Sequence, residues 1–141
     1  MLSIDLIDVT HEFQNDDVES IIYDIYCEEM KRFVGRVEFR DEKDRDLLYY
    51  GNIGYVIYLP YRGNAFALKA CKKILKIIPK KYPKLKDVYI TCNPDNIASQ
   101  KTIRNLGAQY IKTVAVASDH ELYDMGETHK EIYRILLTDD S

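Results

Sequence analysis

The stretch YLPYRGNAFALKA, residues 58–70, changes character halfway along. It closes the run LLYYGNIGYVIYL (47–59), whose β-branched and aromatic residues are those of a strand. From residue 65 the period becomes helical. Ala67, Leu68, Cys71, Ile74, Leu75 and Ile78 form one apolar stripe, and Lys69, Lys72, Lys73 and Lys76 face away. Pro79 marks the end of that helix. A helix start offers unpaired N–H groups and about half a unit of positive charge. Gly63 and the small Ala65 and Ala67 let an anion approach that backbone, with Arg62 as a forked donor at the rim. The junction therefore has the chemistry of a phosphate cradle, although a plain strand-to-helix turn can use the same residues.

Working outward, DVYITCN (87–93) alternates as a strand, with Val88, Ile90 and Cys92 on one face. NPDNIASQKTIRNLGA (93–108) carries a second helix, with Asn96 or Asp95 as cap, Ala98, Ile103 and Leu106 inside, and Gly107 as the closing left-handed residue. MLSIDLIDV, IIYDIYCEE and KRFVGRVEFRDE read as earlier strands, and YIKTVAVAS and EIYRILLT as the last two. Residues 10–20 are polar and fit a loop or one helical turn, and DEKDRD (41–46) fits an exposed hairpin connection. Gly51 and Gly54, inside the long run, suggest a bulge or a close approach by a ligand. The order is β, β, β, β, α, β, α, β, β. The expected fold is a mixed α/β sheet in which the central strand–helix–strand unit supplies a parallel pair. Helices are too few for a doubly wound sheet.

The bulk properties narrow the function classes. A chain of 141 residues with 12 Tyr and a net charge of −3 fits one globular domain, residues 1–141. The charge argues against nucleic acid as the main partner. No apolar run is long enough to span a membrane and no leader pattern opens the chain. Cys27, Cys71 and Cys92 are odd in number and widely spaced, the usage expected of reduced thiols in a cytoplasmic protein.

With GNIGYVIYLPYRGNAFALKA (51–70) followed by ITCNPDNIASQKTIRNLGA (90–108), the chain resembles the GCN5-related N-acetyltransferase (GNAT) superfamily over roughly residues 20–116. The resemblance implies that superfamily's acyl-CoA N-acyltransferase fold, a twisted mixed sheet of about seven strands with a βαβ core. Its signature of Arg or Gln, two residues, Gly, one residue, then Gly or Ala falls on Arg62, Ala65 and Ala67, with Ala65 in place of the middle Gly. By the resemblance, backbone amides from Gly63 through Asn64, Ala65 and Phe66 to Ala67 bind the pyrophosphate of acetyl-CoA. The backbone of Ile57, Tyr58 and Leu59 pairs with the pantetheine arm, in a slot opened by a splay from the 87–93 strand. Asn96 and Ser99 face the arm from the second helix. No metal is implied.

The implied reaction is direct attack of a primary amine on the thioester, which needs the amine deprotonated and the departing thiolate protonated. The family's frequent Tyr donor falls here on Ile103, leaving Ser99 as a substitute. A frequent base position falls on Asn52, which can hold a water and cannot act as a base. Glu38, Tyr50 and Tyr55 are further groups that could face the acceptor, or be surface and packing residues. Proximity alone, with water carrying protons, is also compatible. Between the first two strands the family commonly has two helices that wall the acceptor site. This chain has about a dozen residues there, which suits an extended acceptor or a homodimer. A non-catalytic acyl-CoA-binding module is the alternative function, and an interaction domain whose junction is only a turn is another.

Three other clusters read as structural. SDHELYDMGETHKE (118–131) holds metal-type residues without metal-site spacing and fits a polar connection before the last strand. Lysines 69–86 fit a solvated helix face, although they could meet the cofactor's 3′-phosphate. Cys92 alternates with core residues and has no adjacent basic partner to make it a nucleophile.

Overall fold

β-Branched and aromatic residues at alternate positions bury one face of each long strand. Val37 and Phe39 on β3 (Arg32–Arg40) and Ile25 and Cys27 on β2 (Ser20–Cys27) are fully buried. The computed structural model describes residues 1–13 and 17–137. Antiparallel ladders join β1 (Ile4–Asp8) to β2, β2 to β3, and β3 to β4 (Ile53–Ile57). A second antiparallel sheet has the order β5 (Asp87–Cys92), β7 (His129–Leu136), β6 (Gln109–Ala115). Among the described residues seven strands appear in the expected sequence order, and the fold is the expected mixed α/β one. Thr138, the last residue of the final expected strand, lies outside the described residues. Among the described residues no helix is long and apolar enough to cross a membrane.

Two helices pack against the sheets. α3 (Phe66–Lys81) lays Phe66, Ala70, Cys71, Ile74 and Ile78 into the core cluster, while Lys72, Lys73 and Lys76 stay exposed. It runs through Pro79 rather than ending there. The missing N–H costs little in a last turn, and buried Ile78 accepts from Tyr82 N–H at 2.8 Å to close the helix. α4 (Ile97–Asn105) buries Ile103 and ends as expected at Gly107, whose φ is +79°. Gly107 N–H donates to Arg104 O and Ala108 N–H to Ile103 O, the paired bonds of a Schellman ending.

Residues 41–50 depart from the sequence reading. The expected hairpin connection and the first residues of the expected long strand instead form α2 (Asp44–Tyr50). Asp44 and Asp46 favour its start electrostatically and Gly51, at φ +68°, ends it. Tertiary packing overrides the β-type composition of this segment. Tyr49 is buried beside Val116 and Leu122, and its hydroxyl donates to Ala115 O and accepts from Ala117 N–H. The glycines are approached closely by the protein itself. A side chain at Gly51 would meet Tyr89 O at 2.9 Å, and Arg40 lies across Gly54. Between β1 and β2 the described residues hold α1 (Thr10–Phe13), a single helical turn.

The expected parallel pair is not a continuous ladder. Among the described residues β4 and β5 belong to different sheets, and Asn52 stitches them at one end. Asn52 N–H donates to Tyr89 O at 2.7 Å, and Tyr89 N–H donates to Asn52 Oδ1 at 2.9 Å. The side-chain Nδ2 donates to Arg40 O at 2.9 Å, so this clamp also holds β3.

Candidate active site

Beyond the clamp, β4 and the start of α4 line a cavity of about 320 Å³, floored by the start of α3. Its walls are Tyr55 and Ile57 from β4, Tyr61, Arg62, Gly63, Ala65, Phe66 and Ala67 from the junction, and Ala98, Ser99, Lys101 and Thr102 from α4. Tyr55 was expected as a group that could face the acceptor, whereas the Ala98, Lys101 and Thr102 walls were not anticipated. Their signal was available. Ala98, Lys101 and Thr102 are three and four residues apart, hence on one helix face with Ser99 beside them.

The α3 start is uncapped. Its N-cap residue, Ala65, sits at φ +59° and ψ +25°, and no side chain accepts from the first turn. A left-handed Ala costs about 1–2 kcal/mol, which explains physically why a Gly suits this position. Gly63 is also left-handed, at φ +89°, with open space on its outer side. Among the described residues no hydrogen bond uses the N–H groups of Phe66, Ala67 or Leu68. The result is a concave run of free donors at a positive dipole end, in the open wall of a cavity. These residues fit a diphosphate. Arg62 Nε donates to Ile57 O at 3.0 Å, which leaves the outer guanidinium N–H groups for an anion.

Several expected site residues serve other purposes. β4 ends at Ile57, not Leu59. Tyr58 N–H is committed to Val34 O at 2.9 Å, and Leu59 begins a 3₁₀ turn (Leu59–Tyr61) with 74% of its surface exposed. By strand alternation the outward backbone groups are those of Tyr55 and Ile57. Asn64 Nδ2 donates to Tyr61 O and closes the turn. Asn96 Oδ1 accepts from Ser99 N–H at 3.1 Å as the α4 cap, and Asn96 is not a wall of the cavity. Asn52 is 6% exposed with both amide atoms bonded to backbone, so it is a clamp rather than a holder of water. Ile103 is fully buried in the core.

Within the cavity the polar focus is a pair. Tyr55 OH donates to Ser99 Oγ at 3.0 Å, from the opposite wall. Burial raises the Tyr55 phenol pKa, against the lowering effect of that hydrogen bond, so the group is a proton holder at neutral pH. The other sequence candidates are engaged elsewhere. Glu38 is paired with Arg40, which also donates to Tyr50 O at 3.0 Å. Tyr50 OH donates to Glu121, and burial with that carboxylate raises its pKa further. Cys92 Sγ donates to Glu131, and burial first, then that negative charge, pushes its thiol up to about 11.

The 118–131 segment folds around α5 (Glu121–Asp124). His120, its cap, is buried, accepts from Leu122 N–H through Nδ1, and donates from Nε2 to Asp46 at 2.9 Å. Among the described residues no group of three His, Cys, Asp or Glu side chains is disposed to hold a metal ion. Lys69 Nζ donates to Leu2 O rather than facing the cavity.

The family model of the acetyltransferase (GNAT) domain matches residues 5–109, from β1 to the start of β6. The chain belongs to that family. No curated protein matches it in sequence. Among solved structures, a ribosomal-protein-S5-alanine acetyltransferase from Vibrio fischeri superposes with a TM-score of 0.67 at 16% identity, covering 85% of this chain and 63% of that one. RimL, a ribosomal L7/L12 alpha-N-protein acetyltransferase in complex with coenzyme A, gives 0.66 at 16% identity, covering 86% and 64%. MccE, the microcin C7 self-immunity acetyltransferase in complex with acetyl-CoA and AMP, gives 0.62 at 21% identity, covering 83% and 61%. This GNAT chain therefore spans less than two thirds of the length of each of these proteins, and at these identities the likeness establishes the fold.

Proposed function

We propose that the chain is an N-acetyltransferase that moves the acetyl group of acetyl-CoA to a primary amine by direct attack in a ternary complex. The observation that carries this reading is the uncapped α3 start, with free N–H groups and Arg62, opening on the same cavity as Ser99. Arg62 and the backbone from Gly63 to Ala67 hold the pyrophosphate. Phe66 fills the floor beneath it, and Lys101 adds a cation from α4. The outward backbone of Tyr55 and Ile57 orients the pantetheine arm, and Ser99 faces it from the second wall. Asn96 acts through the cap that positions Ser99. Bound there, acetyl-CoA supplies an acetyl thioester whose carbonyl carbon an amine can attack. Ser99 gives the proton that the departing sulfur needs.

The acceptor is a primary amine, and a protein N-terminus is the class that the neighbours' own substrates support. Asp44 of α2 and Asp124 of α5 are acidic and would favour a positively charged acceptor on their side. Between β1 and β2 the described residues hold one helical turn, which suits an extended acceptor chain or completion of the site by a second copy of this protein.

A second reading, an acyl-CoA-binding module without turnover, is favoured by one observation. Asn52, at the frequent base position, is a clamp, and the carboxylate candidate Glu38 is ion-paired with Arg40. Release of free thiol from acetyl-CoA decides between the two, measured with ribosomal proteins, short peptides with free N-termini, and polyamines. Acceptor-dependent release supports the transferase. Tight binding of acetyl-CoA with no release on any of these amines supports the module.

A further inference from the structure

The cavity contains one hydrogen bond whose direction has a chemical consequence. Tyr55 reaches from β4 across the slot and donates to Ser99 Oγ, which stands on the first turn of α4. Ser99 is itself fixed, because its N–H is held by the Asn96 cap. With one lone pair of Oγ occupied by the Tyr55 proton, the Ser99 hydroxyl hydrogen is directed away from Tyr55. A serine alone is a poor acid. A serine backed by a phenol can pass a proton on and take another in the same motion.

We infer that Tyr55 is the positioning residue and proton source behind Ser99, so that the two hydroxyls act as a two-step relay to the sulfur leaving group. This rests on the acetyl-transfer reading of the same cavity. In the step, the amine lone pair forms the new C–N bond and the C–S bond breaks, its electron pair going to sulfur. Ser99 Oγ passes its proton to that sulfur and takes the Tyr55 proton. The proton shed by the amine nitrogen goes to water, and solvent restores Tyr55. Charge and atoms balance without any further reagent.

The surroundings suit a donor. Position 103, one turn along α4, is a fully buried Ile in the core, so the phenol comes from the facing strand instead. Cys71 on α3 and Cys92 on β5 are the other titratable groups that act on the Tyr55 phenol, and Tyr61 shares the cavity wall. Both cysteines are held protonated by burial, with thiols pushed up to about 12 and about 11. Arg62 and Lys101 are the cations that line the cavity, and the proposed function places both at its pyrophosphate end.

The test needs no acceptor. If Ser99 and Tyr55 donate toward the sulfur, free coenzyme A binds better as its thiol ionises, whereas desulfo-coenzyme A and acetyl-CoA do not respond. Affinities of the three are measured by calorimetry under reducing conditions for the wild type, Tyr55→Phe and Ser99→Ala. The span is from about pH 7 to about pH 9.5, across the range in which thiols ionise. The expected result is a gain of about tenfold for coenzyme A over desulfo-coenzyme A in the wild type. Both variants lose that gain while still binding acetyl-CoA. An unchanged gain in Tyr55→Phe overturns the relay while leaving the cofactor site intact, and so does the absence of any gain in the wild type. Loss of acetyl-CoA binding in Tyr55→Phe makes Tyr55 a cavity wall and overturns it too. Failure of all three ligands to bind the wild type removes the acetyl-transfer reading itself, and the relay with it.

Discussion

Two helix starts face one cavity, and they are finished in opposite ways. At α4 the side chain of Asn96 accepts from Ser99 N–H, as a helix start in a stable protein normally requires. At α3 the same position holds Ala65, which has no group to offer and sits in a left-handed conformation that disfavours it. One end satisfies its own backbone and thereby fixes a hydroxyl. The other leaves its donors free and accepts a conformational cost to aim them. A chain built only for stability would cap both. The difference is the one the proposed function uses, with the capped start as a positioning device and the open start as the ligand site of a single pocket.

The comparison depends on the two walls being held over the same space, and Asn52 does this. Replacing it with Ala strands Tyr89 N–H and Arg40 O, at a cost of about 2–4 kcal/mol. Urea unfolding of Asn52→Ala measures this, and a loss below half a kcal/mol would show that the sheets are held by something else.

Uncapping the finished end is the next largest perturbation. Asn96→Ala is expected to lose about 1 kcal/mol of stability. It should also reduce acetyl transfer, because Ser99 is no longer fixed, while the affinity for acetyl-CoA stays within about twofold. Parallel loss of affinity would contradict the separation of roles.

Relaxing the open end works in the other direction. Ala65→Gly removes the left-handed penalty, offset in part by the greater freedom of Gly in the unfolded chain, and is expected to stabilise by up to about 1 kcal/mol. A lower unfolding midpoint would mean that Ala65 is not strained.

The smallest effect near neutrality concerns the interior of α3. Burial raises the Cys71 thiol from an ordinary 9.0 to about 12. A raised folded-state pKa contributes stability that is complete below pH 9 and lost as pH rises toward 12. Stability should therefore be flat from neutrality to about pH 8.5 and fall above it, with a shallower fall in Cys71→Ala. Identical alkaline slopes in the two proteins would place the titration elsewhere.

Much of this was legible in the residues. The stripe of Cys71, Ile74 and Ile78, the Asn96 start and the Gly107 ending depend on local rules, and each is found where those rules put it. What stayed hidden depends on distant partners. Leu48, Tyr49 and Tyr50 have strand-type composition, yet they form a helix because Tyr49 finds a pocket made by Val116 and Leu122. Asn52 looked like a site residue because nothing local reveals that Tyr89 and Arg40 use both of its amide atoms. Tyr55 could be read as a packing ring until Ser99, 44 positions later, came within 3.0 Å.

The central claim is that the open α3 start binds the diphosphate of acetyl-CoA. Thermal unfolding with and without acetyl-CoA tests it most directly, on the wild type, Arg62→Glu and Ala65→Asp. A ligand at about 100 times its dissociation constant adds about 2.7 kcal/mol to the folded state, so the wild-type midpoint should rise by several degrees. Arg62→Glu should lose the rise by charge reversal. Ala65→Asp should lose it as well while unfolding no earlier without ligand, because its carboxylate caps the donors that the diphosphate needs. No rise in the wild type at saturating acetyl-CoA, or an undiminished rise in both variants, would contradict the account.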